Sequence, residues 1–315
     1  MKEIGGYFEL EKTSTPSGEY HKNAIHLNLG RNALVYLIRA KKIKKIYLPY
    51  FLCDSVEDVC LNEGVSISKY HINSSFEPIF DNEIEKDEYV YVVNYYGQLS
   101  NELIRKLQKK YKHIIVDNVQ ALFQKPIRSV DTIYSCRKYF GVPDGAYLYT
   151  DRVSLSLDKD NSSRRFAHLL GRKKEGAQKH YQDYVNNELL LNNLSLRLMS
   201  KETQDILGSI DYKHVRERRN KNFTYLNEEL CKLNDLTIKR VSGAFCYPLL
   251  LRNGSELKQY LIKNNVYIPT LWPNLKGLND YEQRLVDDLL PLPCDQRYTI
   301  KDMKYIVKLI KDFVK

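Results

Sequence analysis

The stretch IIVDNVQALFQKPIRSVDTIYSCRKYFGVPDGAYLYT (114–150) decides the fold. Its apolar runs at 113–117, 131–134 and 146–150 are rich in β-branched and aromatic residues, and Asn, Gly and Pro punctuate the gaps between them. That pattern predicts three strands. The first ends in an acid, Asp117, and the second runs into Ser135 and Lys138 before a Pro-Asp-Gly turn. Upstream the same grammar repeats, with strands expected at 46–49, 65–70 and 89–94. Helical spacing at 31–42, 54–63 and 100–111 is carried by residues such as Leu34, Leu37 and Ile38. Strand and helix alternate, which predicts β-α-β units feeding a largely parallel sheet, an α/β fold.

After about 155 the texture changes. Residues 158–182 are polar and basic, while 184–208 and 212–234 read as helices. Strands are expected at 236–251 and 264–270, with helices at 255–263 and 300–314. The expected organisation is a large α/β domain with an N-terminal arm over 1–210 and a small C-terminal α+β domain over 211–315.

Composition narrows the function classes. A chain of 315 residues with 43% hydrophobic content can bury the core of two coupled domains. Its six cysteines form no C-x-x-C pair, which argues against a zinc framework and against a disulfide scaffold. A reducing, cytoplasmic compartment is expected. The N-terminus MKEIGGYFELEK is acidic where a signal peptide needs an apolar region, and no apolar run approaches the ~20 residues of a membrane span. The net charge of +10 suits anionic partners in general. No nucleic-acid motif accompanies it, so the excess reads as solvated helix faces such as KLQKKYK (106–112), and neither a nucleic-acid nor a membrane partner is expected.

Three segments fit one active site. In LNLGRNALVYLIRA (27–40) a strand-like run meets Gly30 and then a helix, whose free N–H groups and dipole make a phosphate cradle at Gly30, Arg31 and Asn32. Asp117 closes an apolar strand, so it either caps a following helix or faces the ligand crevice. In the crevice its carboxylate can keep a pyridinium nitrogen protonated, with Gln120 on the ring oxygen. Ser135 can reach the same phosphate. Lys138 stands beside the cation Arg137, a setting that favours a nucleophilic amine. The cofactor these groups suit is pyridoxal 5'-phosphate (PLP). No metal site is expected, and the dinucleotide, P-loop, H-E-x-x-H and G-x-S-x-G patterns are all missing.

Taken in order with KKIYLPYFLCDSV (44–56), YVYVVNYYGQ (89–98), LKQYLIKNNVYIPTLWP (257–273) and LPLPCDQRYTIKDMKYIVKLI (290–310), these segments resemble the DegT/StrS-type sugar aminotransferases of PLP fold type I over nearly the whole chain. The resemblance implies that Lys138 carries the cofactor as a Schiff base and acts catalytically, that Asp117 pairs with the pyridine nitrogen, and that Gln120 sits near the ring oxygen. Gly30, Arg31, Asn32 and Ser135 then bind the phosphate. Cys53 stands where the family places an aromatic over the ring, with Tyr50 and Phe51 close by. The spacing from Ser135 to Lys138 is tighter than the family's, and Leu194 to Ser200 represent its segment that reaches the neighbouring subunit. Trp272 suits either a sugar or base face or core packing. The implied reaction moves an amino group from an amino acid, glutamate foremost, to a nucleotide-linked keto-sugar, in a homodimer. Two alternatives stand beside it: another PLP enzyme such as a lyase or racemase, and a non-catalytic binding protein that kept the fold.

Overall fold

The computed structural model describes residues 2–14, 16, 18–80, 83–151 and 154–314. After a short strand, β1 (Ile4–Gly5), the chain builds one sheet from β2 (Ile25–Leu27), β3 (Lys45–Pro49), β4 (Ser66–Ile72), β5 (Pro78–Ile79), β6 (Tyr89–Val93), β7 (Ile114–Asp117), β8 (Asp131–Ser135) and β9 (Ala146–Tyr149). Helices α1 (Gly30–Lys41), α2 (Asp54–Asn62) and α3 (Asn101–Tyr111) cover it. The strand order is β2-β9-β8-β7-β6-β3-β4-β5. The five strands from β8 to β4 run parallel, and β2, β9 and β5 join antiparallel at the two ends. Runs such as YVYVV and IIVD are buried almost throughout, as strands covered on both faces must be.

The order reverses between β3 and β6, because β4 lies on one side of β3 while β6, β7 and β8 extend on the other. Open α/β sheets bind ligands in the crevice outside the carboxyl ends of strands at such a switch. The sequence places Cys53, Asp117 and Ser135 at or just past those ends.

Beyond the sheet come α4 (Ala167–Glu175), α5 (Tyr181–Asn192), α6 (Lys201–Gly208) and the long α7 (Tyr212–Leu230). The C-terminal part holds β10 (Tyr247–Leu250), α8 (Gly254–Lys263), β11 (Val266–Tyr267), α9 (Asp280–Asp288), β12 (Leu289–Leu292) and α10 (Ile300–Phe313). Strands β10 and β12 pair antiparallel, and β1 returns to pair with β11, so Ile4 joins the core made by α7, α8 and α10. Gly5 is needed there: its φ is +87° and a Cβ would fall 2.2 Å from the Tyr267 carbonyl oxygen.

Three expectations are corrected. The helix expected over 184–208 is two helices, because Leu198 bridges to Leu27 and Lys159, and Ser200 then caps α6 by accepting from the Thr203 N–H. The strand expected over 236–251 shrinks to β10, and the one over 264–270 to the two residues that pair with β1. The polar stretch 158–182 contains α4. No helix among the described residues is long and apolar enough to cross a membrane.

Candidate active site

Asp117 ends β7 with 5% of its surface exposed. One carboxylate oxygen accepts from the Val119 N–H at 2.9 Å and the other from the Tyr91 hydroxyl at 2.8 Å. The residues that follow form turns, so Asp117 caps no helix. Burial pushes its pKa up, while the Val119 N–H, the Tyr91 hydroxyl and the positive charge of Lys138 pull it back down. The site therefore holds a carboxylate short of positive charge, with Lys138 as the cation that reaches it.

Lys138 stands at the end of a single 3₁₀ turn, Cys136–Lys138, directly after β8. The Tyr139 and Phe140 N–H groups both donate to the Cys136 carbonyl, which keeps the turn tight. Lys138 is half-buried and makes no hydrogen bond or ion pair among the described residues. Its neighbour Arg137 is different, being paired with Glu188 of α5. The Asp-Gly after the turn is structural. Asp144 accepts from the Ser200 N–H at 3.0 Å and its hydroxyl at 2.8 Å, which fastens the return strand to α6.

The third element is the start of α1. Its N-cap is Leu29, which has no side-chain acceptor, and its first turn contains no acid. The opening N–H groups are thus left for a ligand. A Cβ on Gly30 would lie 3.8 Å from both Ser135 Cβ and Val119 Cγ1, so the helix end abuts the Asp117 turn and the strand leading to Lys138. The Ser135 hydroxyl has no hydrogen-bond partner among the described residues. Asn32 can offer only its backbone, because its side chain donates to Asn28 at 2.8 Å and to the Ser195 carbonyl at 3.0 Å. Arg31 donates to Asn192 of α5 at 2.7 Å.

Gln120 is oriented by its Oε1, which accepts from the Tyr96 N–H at 2.9 Å, and Nε2 has no hydrogen-bond partner among the described residues. Cys53 precedes α2 with its Sγ 3.2 Å from Ser55 Oγ. The two aromatics beside it are committed elsewhere: Tyr50 stacks on His71 with centroids 4.5 Å apart, and Phe51 is buried against Tyr95. Trp272 packs edge-on to Phe51 at 5.2 Å and does not line the Lys138 cavity.

That cavity, about 670 Å³, opens over Arg137 and Lys138 and is walled by Tyr7, Tyr184, Phe245 and Tyr267. Tyr7 of the N-terminal arm stacks on Tyr184 of α5 with centroids 4.7 Å apart and planes within 7°. Sequence reasoning missed Tyr91, Tyr7, Tyr184 and Glu188. Tyr91 alone had a signal, as the central residue of the apolar run beside the strand that ends in Asp117.

Solved structures share this architecture. DesV from S. venezuelae, determined with a ketimine intermediate, matches at a TM-score of 0.67 and 14% identity over 93% of this chain and 85% of its own. The fold is that of the sugar aminotransferases. A putative sugar aminotransferase from Streptococcus pneumoniae, in its apo form, matches at 0.65 and 13% identity over 98% and 92% of the two chains. A DegT/DnrJ/EryC1/StrS aminotransferase from Brucella abortus matches at 0.62 and 14% identity over 92% and 85%. No family model and no curated protein matches the sequence. Identity this low carries the fold, and the roles of individual residues rest on the geometry above.

Proposed function

We propose that the chain is a PLP-dependent aminotransferase acting on a keto-sugar. The observation that carries this reading is a lysine with no hydrogen bond or ion pair among the described residues, whose charge reaches a buried carboxylate beside an uncapped helix end. Each group meets a need of the cofactor. Asp117 gains in a protonated ring nitrogen the counter-charge that its burial lacks. Gln120 Nε2, with no partner among the described residues, suits the ring oxygen as a donor. The N–H groups of Gly30, Arg31 and Asn32, with the Ser135 hydroxyl, suit the phosphate. When bound, PLP supplies an electron sink for the substrate carbon. Lys138 is the amine placed to hold its aldehyde and, once released, the base whose Nζ takes and returns the substrate's proton.

The finer reading has its own support. The solved neighbours include several named as sugar aminotransferases, and a tyrosine-walled cavity of about 670 Å³ offers flat faces to a sugar ring or base. We take the acceptor to be a nucleotide-linked keto-sugar and the donor an amino acid such as glutamate. Near its C-terminal end helix α5 leaves the adjacent Leu189 and Leu190 exposed at 59% and 62%, apolar surface that a second subunit would cover in a homodimer.

Adding PLP to the purified protein is expected to raise a visible absorbance band, and borohydride to fix the cofactor on the peptide containing Lys138. Lys138→Ala removes the band and retains reversible PLP binding. Labelling of a different lysine, or no band at saturating cofactor, overturns the proposal. Mass spectrometry after incubation with glutamate and a panel of nucleotide keto-sugars then identifies the acceptor.

A further inference from the structure

The Lys138 turn is gripped from behind by a buried cation. Arg219, in the middle of α7, is 0% exposed. It makes no ion pair among the described residues; Glu11 and Asp295 feel its charge, but Asp295 is bound by Arg297. Its donors go to neutral acceptors: Nε to Gln296 Oε1 at 2.9 Å, Nη1 to the Ala244 carbonyl at 2.9 Å, and Nη2 to the Tyr139 carbonyl at 3.0 Å. The guanidinium also lies 4.4 Å from the centroid of the Tyr139 ring. Gln296 brings a second donor to the same carbonyl, Nε2 to Tyr139 O at 2.8 Å, and is itself steadied by Glu11 at 3.1 Å.

Burying a guanidinium without a counter-ion costs several kcal/mol, and an apolar side chain would fill the space without that penalty. What the guanidinium adds is a rigid fork of directed donors. Two of the donors in this cluster converge on the carbonyl of the residue immediately after Lys138. Tyr139 also donates its hydroxyl to the Gln120 carbonyl at 2.9 Å, so it joins the lysine turn to the segment that carries Gln120 and Asp117.

We propose that Arg219 and Gln296 are positioning residues for Lys138: by clamping the Tyr139 carbonyl they set where the lysine stands relative to Asp117, and they make that placement depend on α7 and the 294–297 loop. Neither enters the chemistry. The inference rests on the reading of Lys138 as the cofactor lysine.

Two measurements test it. The first is the rate at which PLP is captured covalently, followed by the visible band and confirmed by borohydride. The second is reversible PLP affinity in a Lys138→Ala background, which does not depend on where a lysine points. Arg219→Met is expected to slow capture about tenfold or more, as for a lost hydrogen bond to a charged group, and Gln296→Ala about fivefold. Affinity in the Lys138→Ala background should stay within about twofold in both cases. Capture at the wild-type rate in both variants overturns the clamp, and so does an equal loss in both measurements, since that marks a residue that only supports the fold. If Arg219→Met fails to fold, Gln296→Ala decides. Wild-type protein that captures no PLP at Lys138 is a different result: it overturns the proposed function and takes this inference with it.

Discussion

Residues 25–149 and 167–208 face each other across the Lys138 cavity, but they are held in place by different forces. The first region is a largely parallel sheet with its covering helices, where Leu34, Leu37, Ile46, Leu48, Ile115 and Ile133 are all at 0% exposure. In the second, α5 buries only Asn187 and Leu191 and leaves Leu189 and Leu190 in solvent. What fastens α5 is a set of tethers: Glu188 to Arg137, Asn192 to Arg31, and Tyr184 stacked on Tyr7. Chemistry is thus mounted on a hydrophobic platform, and the cavity wall hangs from polar and aromatic contacts. Substitutions on the platform's carboxyl edge should change chemistry without loosening the fold, whereas the wall should open on its own.

The largest effect tests the platform. Asp117→Asn is expected to lower turnover roughly 10²–10³-fold, as when one electrostatic stabiliser is removed. Stability should move the other way. Burial raises the pKa of Asp117 above the ordinary aspartate value of 3.8. The stabilisation from its neutral form is therefore complete below 3.8 and lost as pH rises through the folded value. At neutral pH the ionised group costs about 1.4 kcal/mol for each unit of that rise, and asparagine removes the cost. The cofactor-free variant should melt higher than wild type at pH 7. A variant that is inactive and also less stable would show that Asp117 serves the fold instead.

This contrast also explains what could be read in advance. All six expected strands of the platform exist, because continuous apolar runs such as IIVD bury locally whatever surrounds them. Asp117, Ser135 and Lys138 were legible since strand ends place them by topology alone. The wall was not. Its break at 193–200 is made by Leu198 pairing with distant Leu27 and Lys159, which no local period announces. Helix α9 does carry a local signal, the Asn279 to Glu282 capping box. Arg219 and Gln296 were invisible, as charged and polar residues read as surface until a fold encloses them.

The next effect separates platform from wall by pH. His21 packs against Tyr134 and Tyr147 of the platform, 1% exposed, with one ring nitrogen 2.7 Å from the Leu122 carbonyl oxygen, and burial pushes its pKa down to about 4. His168 opens α4 in the wall, and burial, with Arg137 nearby, also pushes it to about 4. Between pH 6.5 and 4 the unfolded chain binds protons that these buried rings refuse, so stability falls as pH drops through that window. For His21 the loss reaches about 3 kcal/mol. Urea unfolding at pH 7 and pH 5 should show a flatter pH dependence in His21→Gln. In His168→Gln the change should instead appear in hydrogen exchange of α4 and α5, with the global slope kept. Equal global slopes in the two variants would mean that platform and wall unfold as one unit, and the contrast drawn here would fail.

The smallest effect concerns an atom on the platform's edge that the fold itself does not use. Ser135 Oγ has no partner among the described residues, so Ser135→Ala removes no contact, and stability should stay within about 0.5 kcal/mol of wild type. Cofactor binding should respond, because the hydroxyl sits beside the uncapped start of α1, where a Cβ on Gly30 would come 3.8 Å from Ser135 Cβ. One hydrogen bond to a charged phosphate is worth about 1.5–3 kcal/mol, which weakens PLP binding about tenfold or more. Pyridoxal without its phosphate is the control, and its affinity should not change. If PLP and pyridoxal weaken together, Ser135 acts on the Lys138 turn and not on the phosphate. If neither weakens, the helix end alone holds the anion, and the tighter Ser135 to Lys138 spacing has moved the serine out of reach.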